Sequence, residues 1–146
     1  MKRSWYFTGL MVLIFLGFSM AGCHPKIDTM AKAERIFIKM VDKTAAKLNL
    51  NDEQKIQLVQ LKADIRKNFQ EGQVENKDAM KKIKEEGLKE KPDIRMMTSS
   101  LQGLFRGDAQ RINRAFDLML GYQKNLNEDQ KNKLNQMISR WIKKWD

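Results

Sequence analysis

The chain is poor in the residues that carry most site chemistry. It has one cysteine, one histidine and two prolines in 146 residues. A single cysteine forms no disulfide within its own chain, so the fold has to stand on its packed core. The one histidine, His24, sits near the N-terminus beside Cys23. A structural or catalytic zinc site usually takes three or four His, Cys or carboxylate ligands, and with one His and one cysteine zinc is not expected. A lone histidine in a tether also leaves no Ser/His/Asp arrangement. Gly103 and Gly107 are not followed by a G-K-[ST] sequence, so there is no phosphate-binding loop. No stretch alternates strictly between apolar and polar residues, which removes the usual signal for half-buried strands. These gaps point away from an enzyme and from a bound cofactor.

Long apolar runs are also scarce, and the one present is informative. Leu10 to Leu16 is unbroken, follows Lys2 and Arg3, and leads through Gly17, Phe18, Ser19 and Met20 to Ala21-Gly22-Cys23. Basic, apolar and then small residues form the layout of a secretory signal. A transmembrane helix takes about 20 apolar residues, and Thr8, Gly9, Gly17 and Ser19 interrupt this stretch. A cysteine directly after two small residues resembles the lipobox of bacterial lipoproteins, with Met20 where leucine is more usual. That resemblance implies removal of residues 1–22 and acylation of Cys23, whose sulfur then becomes a thioether. An ordinary signal peptide or an uncleaved anchor are the other readings. Residue 24 is His rather than Asp, which by the same resemblance implies the outer rather than the inner membrane of a Gram-negative envelope. The expected organisation is a signal peptide over 1–22, a lipidated cysteine and tether over 23–28, and one helical domain over 29–146.

Without residues 1–22 the 146-residue chain keeps 124 residues, and losing Lys2 and Arg3 takes its net charge from +10 to +8. That length supports one domain with a modest core. No zinc-finger, RNP or arginine-rich signature accompanies the positive charge, so nucleic acid is not the expected partner. Anionic lipid, acidic envelope polymers and acidic protein segments are.

The remainder predicts an all-α protein. Met30, Ala33, Phe37, Val41, Ala45 and Leu48 recur at helical spacing over about Asp28 to Leu48. Leu58, Leu61, Ile65 and Phe69 mark a second helix from Asn51 to about Gly72. Val74 to Pro92 is highly charged and reads as a short mobile helix and a loop. A long helix starts near Asp93 with Leu101, Phe105, Ala109, Ile112, Phe116 and Met119 as its buried face. The last runs from Asn127 to Trp145 with Leu134, Met137, Ile138, Trp141 and Trp145 on one side. Four to five thin, one-sided helices fit either a compact bundle or open hairpins that dimerise.

One element occurs twice. Leu50-Asn51-Asp52-Glu53-Gln54 opens the second helix, and Leu126-Asn127-Glu128-Asp129-Gln130 opens the last. Asn is placed as N-cap, and Gln three residues on returns a hydrogen bond to it, as in a capping box. The acidic pair lies where the helix dipole favours negative charge. Lys55 and Lys131 occupy the position where a hydrophobic staple wants an apolar residue, leaving Ile56 and Leu134 as nearer partners for the leucines. Helix-start physics accounts for all of these residues without a ligand.

Two such elements about 76 residues apart in a small exported helical chain resemble the L-T-x-x-Q repeats of the Spy/CpxP family of periplasmic proteins. Asn replaces Thr in both, and the lipid anchor is a further departure. The resemblance covers residues 30–145 and implies a cradle-shaped antiparallel homodimer of thin helices. Its known members include an ATP-independent chaperone, an inhibitor of an envelope-stress sensor kinase, and metal-responsive proteins. Flexible acidic clients would be drawn by charge and then held by adaptable apolar contacts.

On this basis Arg106, Arg111 and Arg114 are the expected basic part of a client surface, with Leu104, Phe105 and Leu118 as apolar neighbours. Met96-Met97 offers sulfur of the kind copper(I) takes, but adjacent helical residues point about 100° apart and methionine serves commonly as core filler. Arg140, Trp141, Lys143, Lys144 and Trp145 read as a core-facing stripe with basic flanks or as an interfacial membrane helix. The expected function is a lipid-anchored periplasmic chaperone for unfolded or acidic clients. An envelope-stress regulator of one partner and a structural envelope lipoprotein are the alternatives.

Overall fold

The computed structural model describes residues 29–143. Four helices follow one another: α1 (Thr29–Ala45), α2 (Asp52–Gly87), α3 (Ile94–Gln123) and α4 (Glu128–Ile142). The described chain is all-α. Cys23, the signal and the tether lie outside the described residues, as do Trp145 and the side chain of Trp141.

Met30, Phe37 and Val41 bury one side of α1, and Leu48 is buried in the turn that follows. The helix tightens at its end through bonds from the Lys47 N–H to the Thr44 carbonyl and from the Leu48 N–H to the Ala45 carbonyl, 3.0 and 3.1 Å. Asn49 then takes a left-handed conformation, φ 48°, which Asn tolerates better than most residues.

The expected end of α2 at Gly72 is corrected, and so is the loop expected over Val74 to Pro92. The helix continues without a break to Gly87 and spans 36 residues, about 54 Å at 1.5 Å per residue. Gly72 is not a terminator: its φ is not positive, and it is buried at a helix crossing. A Cβ there would lie 3.3 Å from the Met30 Cγ and 3.4 Å from the Arg111 Cδ. Past this point the inward stripe carries on as Asn76, Ile83 and Glu86, all buried. Two of those three are polar, so hydrophobic spacing fades where the helix does not.

α3 begins as expected, with Asp93 as N-cap accepting the Met96 N–H at 2.9 Å. Its buried face differs from the expected one. Ala115 is fully buried, Ile112 and Met119 pack partly against the core, and Phe105 is 72% exposed. Leu101 and Ala109 are also exposed. The side of α3 that meets α2 runs through Leu104, Asp108, Arg111, Ala115, Leu118 and Tyr122, rotated roughly 100° from the apolar stripe. Polar residues occupy two of those positions, which displaces the apparent hydrophobic centre.

α2 and α3 form a long antiparallel hairpin, and α1 lies along one half of it. The core is Met30, Phe37, Val41, Leu61, Ile65, Phe69 and Ala115. The Phe37 ring contacts Phe69 and Phe116 at centroid distances of 5.3 and 4.9 Å. Beyond Gly72 the two long helices continue as an arm that α1 touches only at its base, through Thr29 and Glu34. α4 has no extended packing against the other helices. Leu134 and Met137 are half-buried on it, and Ile138 and Ile142 are about half exposed.

Candidate functional site

The twice-occurring element is assembled into one junction. Each Asn caps its helix: the Asn51 Oδ1 accepts the Gln54 N–H at 2.8 Å, and the Asn127 Oδ1 accepts the Gln130 N–H at 2.9 Å. Each Gln Oε1 accepts its own cap N–H, at 3.0 Å in both copies. The two carboxamides then bond each other. The Gln54 Nε2 donates to the Gln130 Oε1 at 2.8 Å, and the Gln130 Nε2 donates to the Gln54 Oε1 at 3.0 Å.

The remaining donors reach across in a near-twofold pattern. The Gln54 Nε2 donates to the Asn125 carbonyl at 2.8 Å, and the Gln130 Nε2 to the carbonyls of Leu48 and Asn49 at 3.2 and 3.4 Å. Asn49 and Asn125 are the same position of the two copies, each two residues before its cap. Tyr122 adds a hydroxyl bond to the Gln54 carbonyl at 3.0 Å, and partial burial raises its pKa. Gln54, Gln130, Leu48 and Leu126 are buried. Sequence spacing showed the two capping boxes but not their pairing, which depends on α2 and α3 returning the chain to its starting end. Ile56 is 72% exposed, so it does not staple to Leu50; Leu134 is half-buried. The two carboxamides are saturated with internal hydrogen bonds.

Of the expected client residues, Arg111 has a different role. Its side chain is 15% exposed and forks onto Glu71 at 2.8 Å and Glu75 at 2.6 Å. The Arg111 Nη1 also donates to the Asn68 carbonyl at 3.1 Å, while the Asn68 Nδ2 donates to the Arg111 carbonyl at 2.8 Å. These bonds clamp α2 to α3 beside Gly72. The Glu75 and Glu71 carboxylates raise the Arg111 pKa, and the guanidinium in turn holds Glu71 below its ordinary value. Leu104 is half-buried toward α2, and Leu118 packs partly against the core. Arg106, Arg114 and Phe105 are exposed.

Along the arm, the Asn76 Nδ2 donates to the Asp108 Oδ1 at 2.7 Å, and Thr29 Oγ1 donates to Oδ2 of the same carboxylate at 3.4 Å. At the far end Glu86 accepts the Asp93 N–H at 3.0 Å and pairs with Lys89. The Lys89 bond, then the Asp93 N–H, lower the Glu86 pKa. Met96 and Met97 are half-buried at this end, and a Cβ on Gly87 would meet the Met97 Cε at 3.2 Å. Met97 thus packs against the end of α2, and the Ser100 hydroxyl donates to the Met96 Sδ at 3.5 Å.

What remains open is a row on α3. Leu101 (38% exposed), Phe105, Phe116 (48%) and Leu120 (59%) lie along one side of it, with Arg106 exposed on its flank, whereas Arg114 is exposed on the side of α3 toward Glu71. This row is the candidate binding surface. Among the described residues, no group of three or more His, Cys, Asp or Glu is placed to hold a metal ion. No described helix is long and apolar enough to cross a membrane. No family model, curated protein or solved structure matches this chain.

Proposed function

We propose that the protein is a lipid-anchored periplasmic chaperone of the Spy/CpxP kind, which holds unfolded or partly folded envelope proteins without ATP. The supporting observation is the uncovered apolar row on α3, with Arg106 beside it. A folded chain leaves such a row exposed at a cost unless something binds it. Mixed cationic and apolar surface suits weak, fast capture: charge raises the encounter rate, and flexible or aromatic side chains accept varied sequences. The uncovered Ile138 and Ile142 side of α4 supports a homodimer, in which that face would be shared between copies. Cys23 is the acylated residue in this reading, and the outer membrane is the expected site.

The test is suppression of client aggregation by the chain from residue 24 onward, without nucleotide, at low and high salt. Suppression that weakens with salt and falls in Phe105→Ser supports the proposal. No effect on several unrelated clients would overturn it in favour of a regulator with one specific envelope partner. Sedimentation of Ile138→Glu against the parent reads the dimer: the variant shifts to monomer, and an unchanged mass would exclude this face.

A further inference from the structure

We propose that the outer face of α1 is a second membrane contact, which takes the anionic headgroups of phospholipids. It rests on the membrane attachment proposed above, but its residues are different ones. Lys32, Arg35, Lys39 and Lys43 follow one another at steps of three and four along α1, and Lys47 continues the row in the next turn. All five are exposed. Helical geometry places the row opposite Met30, Phe37 and Val41, the side that faces the core. From Lys32 to Lys43 it is about 16 Å long.

None of the five is in an ion pair among the described residues, whereas the acidic groups beside them are engaged. Asp42 pairs with Lys62 at 2.7 Å, and Glu34 accepts from the Gln73 Nε2 at 3.3 Å. Arg35, Lys39 and Lys43 also line an open groove of about 370 Å³ between α1 and α2, together with Glu34, Ile38 and Asp42 of α1 and Arg66 of the other helix. The face therefore carries an excess of positive charge, its five cations and Arg66 against Glu34 and a lysine-paired Asp42, beside a recess large enough for headgroups. Ile36, 55% exposed, lies within the strip and is suited to the interfacial layer.

Position selects a bilayer over an acidic protein as the occupant. α1 begins at Thr29, five residues after the tether starts at His24, and the apolar run Leu10–Leu16 lies upstream. The six steps from Cys23 to Thr29 span at most about 22 Å. Attachment at Cys23 holds the first turn of α1, where the basic row starts, within that reach of the surface. One lipid chain gives only marginal membrane binding, and a basic patch is the usual second contribution.

The experiment is lysine acylation footprinting by mass spectrometry on the full chain reconstituted in vesicles. One set is phosphatidylcholine alone; the other is an equal mixture of phosphatidylglycerol and phosphatidylethanolamine. Flotation of the protein is scored in both. The expected result is flotation with both sets. Reactivity at Lys32, Lys39 and Lys43 should fall about threefold or more in the anionic set only, with Lys82 and Lys84 of the arm unchanged. Salt at 1 M, where the screening length is about 3 Å, should restore labelling. The double substitution R35E/K39E should remove the protection of Lys32 and Lys43 without loss of flotation.

Flotation with both sets and equal labelling would overturn the proposal and leave the anchor intact. Flotation with anionic vesicles alone, with α1 protected, would support this face and defeat the anchor. Failure to float with either set defeats both, and protection of the arm lysines instead of α1 overturns the face alone.

Discussion

The two halves of the α2–α3 hairpin are built from the same pair of helices and held together differently. Beside α1, seven buried apolar residues from three helices interlock around Phe37 and Phe69. Beyond Gly72 a single large hydrophobic residue, Ile83, is buried. Polar links, Asn76 to Asp108 and Glu86 to the Asp93 N–H, take over the work of alignment. A two-helix layer has no second face against which to bury its outer side. The arm therefore leaves Leu101 and Phe105 in water, while on the three-helix half Phe116 is partly covered by Phe37. The half beside α1 supplies most of the buried core, while the open row on α3 runs along both halves.

The sharpest way to break this contrast is a matched pair of truncations. Phe69→Ala should lose about 3–5 kcal/mol, because the ring is fully enclosed and its neighbours cannot close the cavity. Ile83→Ala should lose about 2 kcal/mol, the low end for such a change, since a two-helix layer can settle inward. Urea unfolding of both variants measures the difference, and equal losses would mean the arm is as tightly packed as the core.

The paired glutamines come next. Gln54→Ala and Gln130→Ala should each lose about 2 kcal/mol, as each strands a buried carboxamide and a cap N–H. The double variant should lose less than the sum of the two, with a coupling of about 1 kcal/mol or more. Additive losses would show that the two caps act independently.

A smaller effect is expected at the bend before α2. Asn49→Ala should lose about 1 kcal/mol, since alanine resists the left-handed conformation there, while Asn49→Gly should match the parent within a few tenths. Thermal or urea midpoints separate these outcomes.

The smallest effect is acid sensitivity. Glu86 and Glu71 are held below their ordinary value of 4.5 in the folded protein. A carboxylate with a depressed folded pKa contributes its stability above the unfolded value. That contribution is lost as pH falls from 4.5 through the lower, folded value. Stability should therefore decline below pH 4.5, and Glu86→Gln should flatten part of that decline while lowering stability at neutral pH. An unchanged profile in Glu86→Gln would remove the turn from the acid response.

The helix starts were legible from local chemistry. Asn51, Asp93 and Asn127 each cap a helix as their side chains predict, because capping involves only a few consecutive residues. The stripe Leu61, Ile65 and Phe69 was legible for the same reason: it is apolar, regular and buried. The length of α2 was not. Gly72, Asn76 and Glu86 occupy inward positions, and nothing local marks them as buried until α1 and α3 are in place. Arg111 was misleading in the same way. An arginine on a polar helix looks like free surface charge, and its partners Glu71 and Glu75 are 40 and 36 residues away.

By itself the sequence determined that this is a helical protein with a basic surface, two matching cap elements and an N-terminal segment with a lipobox-like end. Those properties follow from periodicity, composition and hydrogen bonds between near neighbours. Only the tertiary structure decided that the two caps meet through their glutamines, that Gly72 serves a crossing rather than an end, and that Arg111 clamps instead of displays. It also decided which residues of the α3 stripe stay open. Each of these depends on contacts between residues far apart in the chain, and such contacts exist only once the hairpin has closed.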